Sequence, residues 1–230
     1  MYRVTLLIKK RGSHHPKEAS TLKTSNKGIR FPVETLTEAE VIGLLKACSK
    51  GPSGIRNQGL LAILYRAGLR VSEACDLLPK DLDPQRCSLR VLHGKGDRAR
   101  VVGLDPGAWS ILLRWLDRRT ALGIGASRPV FCTLTGGSLS TAYLRALMKR
   151  LGRKAKIAKR CHPHGLRHCC ASELRQEGVE IGLIAKQLGH RSIVTTVRYL
   201  DHICPEQVLN TMRARTWGDL PELCPDSRTA

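Results

Sequence analysis

The sequence predicts an α+β domain, mainly α-helical, with one small antiparallel β-sheet. Three observations carry that prediction. Apolar residues recur at helical spacing through most of the chain after Phe31, between capping residues and glycine stops. The period switches to that of strands once, in "RCSLRVLHGKGDRARVVGL" at 86–104. A length of 230 residues is enough to bury a sizeable core in one large domain.

The elements follow in chain order. Residues 1–31 carry eight Lys or Arg against the single acid Glu18, so 1–32 reads as a basic, flexible N-terminal arm, with a weak strand pattern at Val4 to Ile8. The ordered domain is expected over 33–217, and 218–230 as a flexible tail. "TEAE" from Thr37 is a capping box, in which the Thr37 hydroxyl caps a helix and Glu40 reaches back; that helix runs to about Ser49. A second helix is expected from about Ile55 to Ala67, stopped by Gly68, and a short third one in "VSEACDL". The strands flank a turn at Gly94-Lys95-Gly96, and Asp81 to Asp83 offers a third strand. After Asp105 and Pro106 a helix runs to about Leu122, with Trp109, Leu112, Leu113 and Leu116 expected on its buried face. "PVFCT" is a short extended piece. Further helices are expected at Ser140 to Lys156, Gly165 to Glu177, and Ile181 to Leu188 with a stop at Gly189. Another is capped by Ser192 and runs through Leu200, and a last one spans Pro205 to about Arg215.

Charge narrows the function. Lys and Arg number 39 against 19 acids, a net charge of +20. Such an excess costs stability by self-repulsion unless a polyanion neutralises it. Between Arg118 and Ser172 there are twelve Lys or Arg and no acid, whereas a solvated face normally mixes signs. With Arg145 at 0° on a helical wheel, Lys156, Lys149 and Arg153 fall at about 20°, 40° and 80°, opposite a Leu and Met stripe. The ordinary reading of this ladder is a solvated face; the functional one is a helix laid in a DNA groove. No apolar run approaches a membrane span, and "MYRVTLLIKK" has the wrong order of charge and apolar residues for a signal peptide. Nine cysteines, odd in number and irregularly spaced, read as reduced thiols of a cytoplasmic protein. A DNA binder of this kind is expected on the nucleoid.

The stretch "HPHGLRHCC" at 162–170 poses the central choice. A metal site would draw on Cys161, His162, His164, His168, Cys169 and Cys170, but their spacing is unlike the paired ligands of structural zinc, and no metal is expected. An anion site needs only His164 and Arg167, three apart at a helix start, where free N–H groups add positive potential. Other parts of a phosphoryl-transfer site lie elsewhere. Arg70 follows a glycine-terminated helix, with Glu73 placed to hold its guanidinium. Lys95 sits at a hairpin tip, His190 follows a helix end, and Tyr199 comes nine residues later, beyond a break at Gly189 to Ser192 that lets the chain fold back. Each has a plain structural alternative: Arg70 as a salt-bridge arginine, Lys95 as a turn lysine, His190 as a C-cap, Tyr199 as a core aromatic.

The order Arg70, Lys95, His164-x-x-Arg167, His190, Tyr199 resembles the tyrosine recombinase (phage integrase) family. The resemblance covers about 33–202 and is strongest in "GLRVSEACDL", "HGKGDRARVV" and "HPHGLRHCCASELRQEG…LGHRSIVTTVRYL". It implies the catalytic-domain fold of that family and site-specific DNA recombination, whether integration, excision or inversion. Tyr199 is then the nucleophile that forms a 3′-phosphotyrosyl intermediate. Arg70, Lys95, His164, Arg167 and His190 complete the site, Glu73 supports it, and Arg145, Lys149, Arg153 and Lys156 contact DNA. Type IB topoisomerases use similar chemistry but usually carry lysine at the His164 position. The resemblance implies double-stranded DNA as partner, no cofactor, and a homo-oligomer (tetramer) on paired sites, with C-terminal segments exchanged between protomers. With only about 32 basic residues ahead of the match, the chain looks like a catalytic domain nearly alone, similar to short fimbrial-type invertases. The rival readings are a decayed or truncated recombinase that only occupies DNA, and a zinc-binding module.

The charge pattern makes a quantitative prediction. If ~6 phosphates are neutralised, the logarithm of the DNA-binding constant falls against log salt with a slope near about −5. Filter binding or anisotropy between low and physiological salt checks it; a flat dependence refutes the polyanion reading.

Overall fold

The computed structural model describes residues 35–92 and 99–190, with scattered positions after that (192, 194, 196, 197 and 212–214). All of these fall in the unit Val33–Ala230. The expected N-terminal strand, Lys95 with its turn, Tyr199 and nearly all of the last two helices lie outside the described residues.

Helix α1 (Glu38–Ala47) starts from the expected capping box: Glu40 N donates to Thr37 Oγ1, and Thr37 N donates to Glu40 Oε2. Helix α2 (Pro52–Ala62) begins three residues earlier than expected, because Pro52 takes the first helical position, where its missing N–H costs nothing. It continues as a π-helical turn, Ile63–Ala67, which ends at Gly68 in the left-handed conformation (φ 63°). Helix α3 (Val71–Asp76) follows at once. Strands β1 (Leu82–Asp83), β2 (Ser88–Val91) and β3 (Arg100–Gly103) pair antiparallel in that order, with Leu89 opposite Val102. The switch in sequence period therefore marks the sheet where it was expected.

Helix α4 (Pro106–Ala121) is capped by Asp105, whose side chain accepts from Ala108 N. Its buried stripe differs from the expected one: Trp109, Leu112, Trp115 and Arg119 face inward, and Leu113 is exposed. The stripe runs in steps of three and four, and Leu113 lies one residue, about 100°, off it. Trp115 is held by an indole N–H to Val130 O (2.7 Å), and Arg119 donates to the carbonyls of Ile124, Gly125, Arg128 and Pro129. Helix α5 (Thr141–Lys154) is capped by Ser140 and buries Leu144, Leu147, Met148 and Leu151. Helices α6 (Pro163–Gln176) and α7 (Ile181–Leu188) follow, α7 ending at Gly189 in the left-handed conformation (φ 67°).

The main core lies among α1, α2, α4, α5 and one face of the sheet; α2 packs on α4, and α1 on α5. A smaller cluster of Ala171, Ile184 and Leu188 joins α6 to α7. Helix α6 lies against the π-helical turn, and α7 against β3. These two packings bring the glycine-terminated ends of two helices together. A Cβ added at Gly68 would stand 2.7 Å from Leu188 Cδ2 and 3.1 Å from Cys170 Sγ. Gly68→Ala therefore combines left-handed strain with overpacking and is expected to cost about 2–4 kcal/mol, read as a lower urea midpoint at unchanged m-value.

Candidate active site

The end of α7 is the focus. Arg167, on the first turns of α6, is 1% exposed, and its guanidinium donates to Gly68 O (2.5 Å) and Leu188 O (2.6 Å). Both acceptors lie at helix C-termini, where carbonyls lack helical partners and carry partial negative charge. Arg70, between the two glycine-ended segments, donates to Gly189 O (3.0 Å). It also forms an ion pair with Glu73 at 2.7 Å, as its spacing predicted. His190 follows directly, its N–H bonded to Ala185 O. Arg70, Arg167 and His190, separated by up to 120 positions, thus meet on the turn Leu188–Gly189–His190.

His164 stands on the first turn of α6 with an exposed edge, its ring 4.5 Å from that of His168 in a T-shaped contact. Below it, His162 caps the helix: its Nδ1 accepts from Gly165 N at 3.1 Å. His190 Nδ1 lies 2.8 Å from Thr196 Oγ1, so the chain does fold back after Gly189, as far as the buried Thr196. If that hydroxyl donates, Nε2 of His190 carries the proton and is a donor. The imidazoles are held neutral. Desolvation, then the cations Arg167 and Arg70, bring His190 down to about 4. Desolvation and the same two arginines also lower His164, and desolvation with its histidine neighbours brings His168 to about 3.

Among the described residues, Glu73 is the acid that binds Arg70 and Arg100. Burial would raise its pKa, but hydrogen bonds from Arg100 and Arg70 outweigh burial and hold it at about 2. Arg100 was missed by the sequence reading. A signal existed: Arg100 and Val102 share one face of β3, Val102 is fully buried, and a charged residue in that register must point inward.

The metal reading loses its ligands to other work. Cys169 Sγ donates to Leu36 O and Cys170 Sγ to Arg66 O, while burial raises the two thiols to about 11 and about 12. His162 is committed to the helix cap. Among the described residues no three His, Cys, Asp or Glu side chains are arranged to hold a metal ion.

The cationic ladder is largely present. Arg145, Lys149 and Arg153 are exposed on α5, opposite its buried Leu and Met stripe. They line a groove of about 470 Å³ with Lys159, Arg160 and His162. Lys156 departs from the expectation: α5 ends at Lys154, and Lys156 is exposed beyond it in the left-handed region (φ 55°), so it belongs to the following loop. Of the twelve cations between 118 and 172, Arg119 and Arg167 are buried and bind carbonyls, so the one-sign block is partly internal scaffold.

The lowered histidines fix the sign of a pH effect. A histidine whose folded pKa lies below its unfolded value of ~6.5 leaves the unfolded chain binding more protons. Stability is then full above about pH 6.5 and falls as pH drops toward the folded values of about 4 and about 3. Between pH 6.5 and 5, before most carboxylates titrate, the urea midpoint is expected to fall, and to fall less in His168→Gln. A wild-type midpoint flat across that interval refutes the assignment.

A family model described as "Phage integrase family" matches residues 34–203. A tyrosine recombinase XerC of Xylella fastidiosa (strain M23) is 35% identical over 173 residues, covering 75% of this chain and 58% of the relative. The type 1 fimbriae regulatory protein FimE of Escherichia coli (strain K12) is 34% identical over 166 residues, covering 71% of this chain and 83% of FimE. The crystal structure of XerA recombinase superposes with a TM-score of 0.70 at 28% identity, over 83% of this chain and 68% of that one. The chain thus spans little more than half the length of the XerC relative. With the match running from the first capped helix through the whole set of candidate residues, the chain belongs to the phage integrase family.

Proposed function

We propose that the protein is a site-specific DNA recombinase that cuts and rejoins strands through a tyrosine, with residues 33–217 as its catalytic domain and 1–32 as a basic arm. The observation that carries this reading is the convergence of Arg70, Arg167 and His190 on one turn, beside the exposed edge of His164. A phosphodiester is an anion that resists attack until its developing charge is neutralised. Arg70, the more open of the two arginines, meets the phosphate directly. Arg167 supplies positive potential from beneath, held by the two helix-end carbonyls. His190, protonated on Nε2, donates to a non-bridging oxygen. His164, held neutral, takes the proton of the attacking phenol, and Lys95 gives one to the leaving 5′-oxygen.

Tyr199, three positions past the Thr196 that bonds His190, is the nucleophile. It forms the P–O bond to its phenol oxygen as the 5′-oxygen leaves. The 3′-phosphotyrosine retains the ester's energy, so a second 5′-hydroxyl reseals the strand without ATP, metal or other cofactor. Arg145, Lys149 and Arg153 read the DNA from α5, and Lys156 extends the contact from the loop after it. Double-stranded DNA is the partner. A XerH recombinase whose structure is described as a post-cleavage complex with its difH substrate is 28% identical over 80% of this chain (TM-score 0.65), which supports the reading. Assembly is as a homo-oligomer, a tetramer on paired sites, acting in the cytoplasm on the nucleoid. A cavity of about 490 Å³ beside α7, rimmed by the exposed Val101 and Leu183, supports an interface there. No helix among the described residues is long and apolar enough to cross a membrane.

The test is a trapped intermediate. Target duplexes are selected by binding from a randomised pool and nicked beside each position in turn, so that a short 5′-hydroxyl fragment diffuses away after cleavage. Wild-type protein with chelator is expected to give a denaturation-resistant adduct whose DNA maps to Tyr199. Tyr199→Phe should abolish it with binding nearly intact. An adduct that persists in Tyr199→Phe rejects the nucleophile, and binding without any wild-type adduct favours the protein that only occupies DNA.

A further inference from the structure

Arg100 is the charged side chain at the centre that the mechanism above does not use. Its side chain is 11% exposed, at the start of β3. Its Nη1 and Nη2 grip both oxygens of Glu73, at 2.9 and 2.8 Å, and its Nε donates to Gln187 O at 3.2 Å. Glu73 receives Arg70 on the same two oxygens, from the guanidinium on Oε1 and from the backbone N–H on Oε2. The guanidinium also fills the space beside Gly189, where an added Cβ would stand 2.8 Å from Arg100 Cζ.

This geometry has two consequences. The first concerns charge. Arg70 and Glu73 alone would sum to zero, and a bidentate Arg70–Glu73 pair would spend the fork that a phosphate needs. With Arg100 covering both carboxylate oxygens, the trio carries one net positive charge and the Arg70 guanidinium makes one bond with the acid. The second concerns geometry. The bond to Gln187 O and the fit against Gly189 fix the turn whose carbonyls orient Arg70 and Arg167 and which leads into His190. Gln187 adds a cross-tie, bonding Gly103 through both N–H and C=O.

We propose that Arg100 is a positioning residue for strand transfer: it holds Glu73 and the Gln187–Gly189 turn so that Arg70 and His190 face the scissile phosphate together. The proposal rests on the strand-transfer reading above. It acts through other residues, so its removal should slow chemistry at saturation while leaving DNA affinity nearly unchanged. Lysine would keep the charge but not the fork, and should not restore the rate.

The experiment uses the full chain and the selected, nicked duplexes. For Arg100→Gln and Arg100→Lys, dissociation constants are expected within about twofold of wild type, and single-turnover adduct formation at saturating protein about tenfold slower or more. The double variant Glu73→Gln/Arg100→Gln should be no slower than the worse single variant, because both act through one carboxylate. Saturated rates within about twofold of wild type in both single variants overturn the proposal, as does a loss that vanishes once binding is saturated. Should Arg100→Gln melt below the assay temperature, Arg100→Lys, which keeps a cation beside Glu73, carries the same comparison. A wild type that forms no adduct on any duplex refutes the strand-transfer reading and this proposal with it, an outcome distinct from an active wild type with equally active Arg100 variants.

Discussion

The rest of the structure depends on a buried arginine held between two helix ends. Arg167 is almost wholly enclosed, and a buried charge is costly unless its hydrogen bonds are met. The chain meets them with two helix ends. Gly68 and Gly189 turn the π-helical segment and α7 into the left-handed region, and this geometry leaves the carbonyls of Gly68 and Leu188 aimed at one guanidinium. Each carbonyl sits at the negative end of its helix, so the helix dipoles stabilise the cation. Neither glycine tolerates a side chain, because Leu188 and Cys170 occupy the space at Gly68 and Arg100 the space at Gly189.

The same solution recurs. Arg119 is bound by carbonyls of the loop after α4, and Arg56 by Cys132 O, Asn57 and the Tyr143 hydroxyl. A protein with net charge +20 has few acids to spend, and it uses them at Glu73, at Asp105 and Glu173 around Arg66, and at Glu40 with Lys159. Among the described residues no ion pair is seen to Arg145, Lys149 or Arg153, so the face of α5 stays positive.

Much of this was legible in the sequence. The capping box at Thr37, the stops at Gly68 and Gly189 and the change of period at the sheet are local signals, and each element formed where its signal lay. Glu73 beside Arg70 is also local, since three positions on one helical turn decide it. What the sequence hid was set by packing. The phase of α4 depends on which stripe α2 covers, so Trp115 displaced Leu113 inward. Lys156 fell off the ladder because the helix ended two residues sooner. Whether an arginine in the acid-free block meets DNA or a carbonyl depends on partners distant in sequence, and Arg167 and Arg119 proved to be internal.

The electrostatics of the centre follow from this economy. Arg70 and Arg100 both bind the Glu73 carboxylate, so the trio carries one net positive charge, with the Arg167 cation on the adjoining turn. Those charges and desolvation hold His164 and His190 neutral, since adding a proton to either would place another cation beside the arginines. An arriving phosphodiester reverses the balance: its negative charge favours protonation of the imidazoles around it. In the proposed mechanism, His164 therefore gains affinity for the phenol's proton only when the substrate is in place. In that mechanism proton acceptance is coupled to phosphate binding by charge.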